Sequence, residues 1–272
     1  MSAGAKEGGG PSQPGQYHLV HGDAASMDIV RTREVDLVLT GPPYFSAQTE
    51  EKLRGVRVTL ELLAGVRDEL VSFAVSLRPV FVEIARVLAP KGVLVMQTKD
   101  IRLGYARLRL AEIHRELAEA QGLTLITEVF WNKVSMRRRS SAFRKKPEVG
   151  AFRADDMERF LIFSRGDIPR RPDYGLELDD NEIDACLQPV WTFPPLGKNR
   201  THPHQTPPGL ARRFIALYSA PGDLVVDPFA GHATMLRQAV SMGRRAIGYE
   251  IDANYASYGE AALRRQTGRS QA

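Results

Sequence analysis

Apolar residues run almost without a break through Val35-Asp36-Leu37-Val38-Leu39-Thr40, and the run stops abruptly at Gly41-Pro42-Pro43-Tyr44. A continuous rather than alternating apolar run predicts a strand buried on both faces, as in a parallel sheet, and two prolines in succession cannot extend its hydrogen-bond ladder. Tyr44 therefore belongs to the loop beyond a strand's carboxyl end. A second run of this kind, Asp223 to Asp227, ends in the turn Pro228-Phe229-Ala230-Gly231. Further strands are predicted at Tyr17–His21, Val93–Thr98, Leu123–Trp131, Glu158–Ser164 and Ala246–Tyr249. Apolar residues at helical spacing predict helices over Arg67–Leu88, kinked or restarted at Pro79, and over Tyr105–Ala120. Others follow at Gly209–Ser219, Thr234–Met242 and Ala253–Arg265. Strand and helix alternate along the chain, which predicts an α/β fold with a doubly wound sheet. In such sheets ligands bind beyond the carboxyl ends of the strands, so the loops after Thr40 and Asp227, side by side, would form one site.

The pattern fails at both ends and in three internal stretches. Met1 to Gln16 is rich in Gly, Ser and Pro and is expected to be a disordered tail, and residues 266–272 are expected to fray. Phe45 to Gly55 is a polar loop over the site. Asn132 to Asp156 carries Lys133, Arg137, Arg138, Arg139, Arg144, Lys145 and Lys146, interrupted by Ser, Phe and Pro. Such side chains can neutralise phosphates, and Phe143 can contact bases or sugars, although a solvated charged loop has the same composition. Arg165 to Arg200 holds many prolines, an acidic patch and Trp191, and reads as an irregular lobe without a core of its own. Residues 17–265 are thus expected to form a single domain.

Charge and cysteine content narrow the function. With 37 Lys+Arg against 32 Asp+Glu the net charge is only +5, so nucleic-acid binding rests on where the charges cluster. The single Cys186 excludes an intrachain disulfide and fits a reducing cytosol. Its setting is Asp-Ala-Cys-Leu-Gln, and it is expected to be a small buried apolar residue. No apolar run reaches the length of a membrane span and no signal-peptide core is present, so a cytoplasmic location is expected. His202 and His204 stand close together, but no Cys or acidic partner falls at ligand spacing, and no metal is expected.

The two loops together resemble the amino-methylating DNA methyltransferases. In that family a (Asp/Asn/Ser)-Pro-Pro-(Tyr/Phe) loop holds the target base and a Phe-x-Gly-x-Gly turn holds S-adenosylmethionine. The order here, base loop first and cofactor turn last, is similar to the circularly permuted beta group, and the resemblance runs from about Tyr17 to Tyr258. It implies a Rossmann-like, circularly permuted sheet with a catalytic half at 17–133 and 158–165 and a cofactor half at 201–265. Segments 134–157 and 166–200 are the candidate target-recognition regions. Their shortness suggests a small recognition sequence or help from a second subunit, either another copy of the chain or a restriction-modification partner, on double-stranded DNA.

The resemblance assigns Gly41, Pro42, Pro43 and Tyr44 to the catalytic loop, and Asp23, Thr40, His202, Thr206, Asp227, Phe229, Gly231, Thr234 and Glu250 to the cofactor. Glu250 would take the ribose hydroxyls, and Asp227 the ammonium. Phe229 would pack on the methionine chain, and the first N–H groups of the Thr234 helix would receive the carboxylate. Asp23 would lie near the adenine; as a favoured N-cap residue it could equally start a helix over Ala24–Val30. Trp131-Asn132-Lys133 is similar to the family's Trp-x-Lys stretch beside the flipped base. His202-Pro203-His204-Gln205-Thr206-Pro207 resembles its His-Pro-x-Gln-Lys-Pro element, with Thr206 in place of Lys.

An exocyclic amino group is a poor nucleophile because its lone pair is delocalised into the ring. Acceptors that bind its two hydrogens favour the tetrahedral nitrogen, with the base flipped out and Tyr44 stacked on it. The Pro42 carbonyl is one acceptor; the family's second is the side chain at position 41, which glycine lacks. Gly41 and the preceding Thr40 lie closest to the family's Thr-Ser-Pro-Pro-Tyr form, so N4 of cytosine is favoured over N6 of adenine. Ala233, where the family has glycine, is expected to crowd the cofactor or to force an unusual φ. A catalytically weak or inactive DNA-binding subunit with the same fold is the competing expectation. An RNA or protein methyltransferase is disfavoured, since those chains usually place the cofactor turn first.

Overall fold

A computed structural model of the chain describes residues 10–44, 59–103, 106–133, 157–166, 177–195 and 206–270. Its strands are β1 (Tyr17–His21), β2 (Val35–Thr40), β3 (Leu88–Thr98), β4 (Ile101–Leu103), β5 (Ala106–Leu108), β6 (Thr124–Asn132), β7 (Met157–Ser164), β8 (Val190–Thr192), β9 (Leu224–Asp227) and β10 (Arg245–Glu250). The helices are α1 (Leu60–Val87), α2 (Leu110–Glu119), α3 (Asp180–Cys186), α4 (Pro208–Tyr218), α5 (Thr234–Ser241) and α6 (Ala253–Ser270).

An eight-stranded sheet in the order β1-β10-β9-β2-β3-β7-β6-β8 forms the centre. Its strands run parallel except β7, which is antiparallel to both β3 and β6. The two continuous apolar runs are neighbours at its middle, with Leu37 opposite Val225 and Val38 opposite Val226. From β2 the chain proceeds outward to β3, and from β9 it proceeds the other way to β10, so the crevice between β2 and β9 is the point where the winding changes direction. The permuted order therefore still brings the loop after Thr40 beside the turn after Asp227.

Alternation along the buried strands sends side chains to two cores. Val38, Leu94, Met96, Leu161, Phe163 and Val226 face one layer with Phe81 and Ile84 of α1. Leu39, Val95, Phe160, Ile162 and Val225 face the other with Phe214 of α4 and Leu236 of α5. Ala89–Gly92 is an irregularity inside β3: Val35 pairs with Leu88, yet Leu37 pairs with Val93. Only glycine fits there, because a Cβ at Gly92 would lie 2.7 Å from the Val35 carbonyl oxygen.

Several expectations are corrected. α1 does not restart at Pro79 but continues through it. The carbonyl that loses its donor belongs to Val75, which is 64% exposed, on the side where water can serve it. The helix expected from Tyr105 starts only at Leu110, after the hairpin β4–β5, where the Asp100 carboxylate accepts from the Ala111 N–H at 3.3 Å. Ala24–Val30 forms turns rather than a helix. α6 reaches Ser270, held by the Gln266 side chain donating to the Arg237 carbonyl at 2.8 Å. Residues 10–16 of the expected tail are tied to the sheet edge, where the Gly15 N–H donates to the Arg244 carbonyl at 3.1 Å.

The described part of the expected irregular lobe, 177–195, is ordered. Asp179 and Glu182 form a reciprocal capping box that starts α3, and β8 extends the sheet by pairing with β6. Trp191 is buried in the main core, stacked on Phe214 at 4.7 Å, while Glu177 pairs with the fully buried Arg244. Cys186 is half-buried against the same core, and burial pushes its thiol up from the usual value.

Candidate active site

The carboxyl ends of β1, β2, β9 and β10 open into one cleft of about 430 Å³. Gly41, Pro42, Pro43 and Tyr44 line it from the β2 side, and Asp227, Phe229, Gly231 and Thr234 from the β9 side; Asp23, Thr206 and Glu250 complete the wall. Most of the predicted site residues thus converge. His202 and the basic residues Arg137, Arg138, Arg139, Arg144, Lys145 and Lys146 lie outside the described residues, as does His204. Among the described residues no group of His, Cys, Asp or Glu could hold a metal ion.

Thr40 is corrected. It is fully buried behind the cleft, and its hydroxyl donates to Asp227 Oδ1 at 2.7 Å, so it positions the aspartate instead of facing a ligand. The same Oδ1 accepts from the Phe229 N–H at 3.1 Å. Burial pushes the Asp227 carboxyl up to about 7, with a smaller contribution from the Glu250 charge, against the lowering effect of those two hydrogen bonds. Its hydrogen-bond partners among the described residues are neutral, and a cation entering the cleft would favour the ionised form.

At the end of β10 the Glu250 carboxylate accepts from the Gly231 N–H and from the Asp252 N–H, each at 2.8 Å. These bonds draw the Asp227–Gly231 turn toward β10 and leave Glu250 half-buried on the cleft wall. Gly231 itself has φ +50, where a glycine is favoured. Asp23 Oδ1 accepts from the Ala25 N–H at 2.8 Å, a local turn bond that replaces the expected helix cap.

Ala233 does take the unusual backbone conformation, φ 57 and ψ 31, at the N-terminus of α5. It does not crowd the cleft: the residue is completely buried in the core and is absent from the cleft wall. The first turn of α5 carries no side-chain cap hydrogen bond, and Thr234 and Met235 line the cleft, so the helix presents its N-terminus there.

A buried polar network that includes two residues unforeseen from the sequence lies at the other end. The Tyr44 hydroxyl donates to Glu158 Oε2 at 3.1 Å, and Gln97 Nε2 approaches the Tyr44 oxygen at 3.3 Å and also donates to Glu158. Lys133 pairs with Glu158, and the Thr206 hydroxyl donates to Gln97 Oε1. Burial and then the Glu158 charge push the Tyr44 hydroxyl well above its usual value, so it stays protonated. Lys133, expected on a phosphate, is instead held inside by Glu158 with its ammonium 4.3 Å over the Trp131 ring. A signal for Gln97 existed, since it is a polar residue in the buried run Val93–Thr98; Glu158 had none beyond its place at the start of a strand.

A family model for DNA methylases of the N6/N4 type matches residues 35–261, most of the chain and both loops of the cleft. The chain belongs to this DNA methylase family. The Type II methyltransferase M.MjaI of Methanocaldococcus jannaschii is 27% identical over 266 residues, covering 87% of each chain. The DNA adenine methyltransferase YhdJ of Escherichia coli is 25% identical, covering 89% of this chain and 80% of its own. A putative DNA modification methylase of Thermus thermophilus, solved with S-adenosyl-L-methionine, superposes with a TM-score of 0.64 at 25% identity, over 92% of this chain and 95% of its own. This methylase is an S-adenosylmethionine-dependent enzyme, and its wall of Asp23, Asp227 and Glu250 suits a cationic cofactor.

Proposed function

We propose that this methylase moves a methyl group onto the N4 amino group of a cytosine flipped out of double-stranded DNA. The supporting observation is the single cleft in which the Gly41–Tyr44 loop faces the Asp227–Gly231 turn and Glu250, with no carboxylate at position 41. S-adenosylmethionine, when bound, supplies an electrophilic methyl group. Asp227 holds the ammonium end, Glu250 the ribose, and the N-terminus of α5 the carboxylate. Across the cleft the Pro42 carbonyl accepts one amino hydrogen, and Tyr44 packs on the base, its hydroxyl fixed by Glu158 so that the ring cannot swing away. His202 and Thr206 belong to the cofactor wall, and the basic stretch 137–146 to DNA phosphates, with 134–157 and 166–200 reading the sequence. Genomic DNA as substrate places the protein in the cytoplasm.

N6 of adenine is the second reading, favoured by the likeness to an adenine methyltransferase. An inactive subunit is less favoured, since Ala233 keeps its Cβ in the core. Incubation with labelled cofactor and mixed-sequence DNA, followed by digestion to nucleosides and mass spectrometry, tests the proposal. N4-methylcytosine is expected. N6-methyladenine alone would overturn the base assignment, and no transfer above a Tyr44→Ala control would overturn the activity.

A further inference from the structure

We propose that the Gln97 side-chain oxygen is the second acceptor for the target amino group, in the role that the residue at position 41 cannot fill here. The inference rests on the amino-methylation reading above. A Cβ built on Gly41 would have as its nearest neighbours Gln97 Cβ at 3.7 Å and Gln97 Oε1 at 4.0 Å. Gln97 rises from the adjacent strand β3, is 2% exposed and lines the cleft. Its oxygen thus stands beside the space that a side chain at position 41 would enter.

The orientation of the amide is set by its partners. The Glu158 carboxylate, paired with Lys133, offers acceptors, so the group facing it is the NH₂, which also approaches the Tyr44 oxygen at 3.3 Å. The oxygen then points the other way and accepts from the Thr206 hydroxyl. An amide oxygen has two lone pairs, and the Thr206 bond uses one. The other can receive an amino hydrogen, while the Pro42 carbonyl takes its partner. The methyl C–S bond breaks as the N–C bond forms, and the nitrogen then loses one proton. An amide is too weak a base to take that proton, so it leaves to solvent, and the work of Gln97 is to localise the nitrogen lone pair. Two departures from the family pattern, Gly41 and Thr206, meet on this one side chain: the glycine makes room for the amide and the threonine orients it.

Single-turnover methylation by the wild type, Gln97→Leu, Gly41→Ser and the double variant tests this, with cofactor affinity measured on each by calorimetry. Gln97→Leu is expected to slow transfer about tenfold, the effect of one lost neutral hydrogen bond, at unchanged cofactor affinity. Gly41→Ser is expected to recover most of that loss in the Gln97→Leu background and to fail to raise the wild-type rate, because its hydroxyl would donate to Gln97 Oε1. A wild-type rate in Gln97→Leu would overturn the proposal. So would an equal fold-change from Gly41→Ser in both backgrounds, which would make Gln97 a purely structural member of the network. If Gln97→Leu does not fold, the Gly41→Ser variant alone decides: a tenfold gain overturns the proposal and the absence of gain supports it. Transfer by the wild type separates this inference from the reading beneath it, since a wild type without transfer overturns both.

Discussion

Asp227→Asn should make the protein more stable and a poorer binder of its cofactor, and both effects should depend on pH. The carboxyl is 2% exposed and titrates near 7, against an ordinary value of 3.8. Between those values the folded protein keeps the proton and the unfolded chain has lost it, so the wild type loses stability as pH rises from about 4 to 7, and above 7 the loss is constant. At 1.36 kcal/mol per unit, the full difference is about 4 kcal/mol, an upper figure because local relaxation would reduce it. Asparagine removes the charge and keeps the geometry: its Oδ1 can still accept from Thr40 and Phe229, and its Nδ2 takes the place of Oδ2. Urea unfolding at pH 5.5 and pH 8 measures the gap between variant and wild type, and it should widen by about 2 kcal/mol over that range. Cofactor affinity should move oppositely. One charge-assisted hydrogen bond, about 1.5–3 kcal/mol, predicts a loss of roughly tenfold to a hundredfold at pH 8, with much less difference at pH 5.5, where the wild-type carboxyl is also neutral. A variant less stable than the wild type at pH 8, or a gap identical at the two pH values, would refute the reasoning.

His114 is fully buried, with Nδ1 2.9 Å from the Thr98 hydroxyl, and burial drives its pKa down to about 3, so the unfolded chain takes up a proton below the ordinary value of 6.5 that the folded protein refuses. His114→Leu should therefore reduce the loss of stability between pH 6.5 and pH 5 by about 2 kcal/mol in urea titrations, and an unchanged acid slope would mean that the ring is not neutral and enclosed. Changing Arg137, Arg138 and Arg139 together to Ala should weaken DNA binding across all sequences and reduce the log–log salt slope by about 0.9 for each lost phosphate contact; an unchanged slope would leave them as solvated surface.

The parts of the fold legible in the sequence are those in which one strand's own residues carry the information. The runs ending at Thr40 and Asp227 say that both faces are buried, and the prolines after Thr40 say where the strand stops. That was enough to place the cleft. The direction of β7 was not legible, because a run such as Phe160–Phe163 is equally buried in either orientation. Segment 177–195 was legible only in part. Asp179-Asp180-Asn181-Glu182 has the spacing of a capping box, but the Arg244 that anchors Glu177 lies 67 residues away. The network around Tyr44 was least legible of all. Residues 97, 133, 158 and 206 come from separate parts of the chain, and only the sheet order β3-β7-β6 brings the first three together.

That difference decides how departures from a family pattern should be weighed. Ala233, Thr206 and Gly41 all look like damage when each is compared with the family one position at a time. Ala233 carries a real backbone cost, about 1–2 kcal/mol for a left-handed conformation, yet its methyl is buried in the core and recovers roughly 0.8 kcal/mol, and no part of it enters the cleft. The other two cannot be assessed singly. Gly41 removes an acceptor only if nothing else stands there, and Gln97 does; Gln97 offers its oxygen only if its amide is held the right way round, and the bonds to Thr206 and Glu158 hold it. A substitution that loses a hydrogen bond in the sequence can thus be one half of an exchange whose other half lies on the neighbouring strand, and the rate of the Gln97→Leu, Gly41→Ser double variant measures whether the two halves belong together.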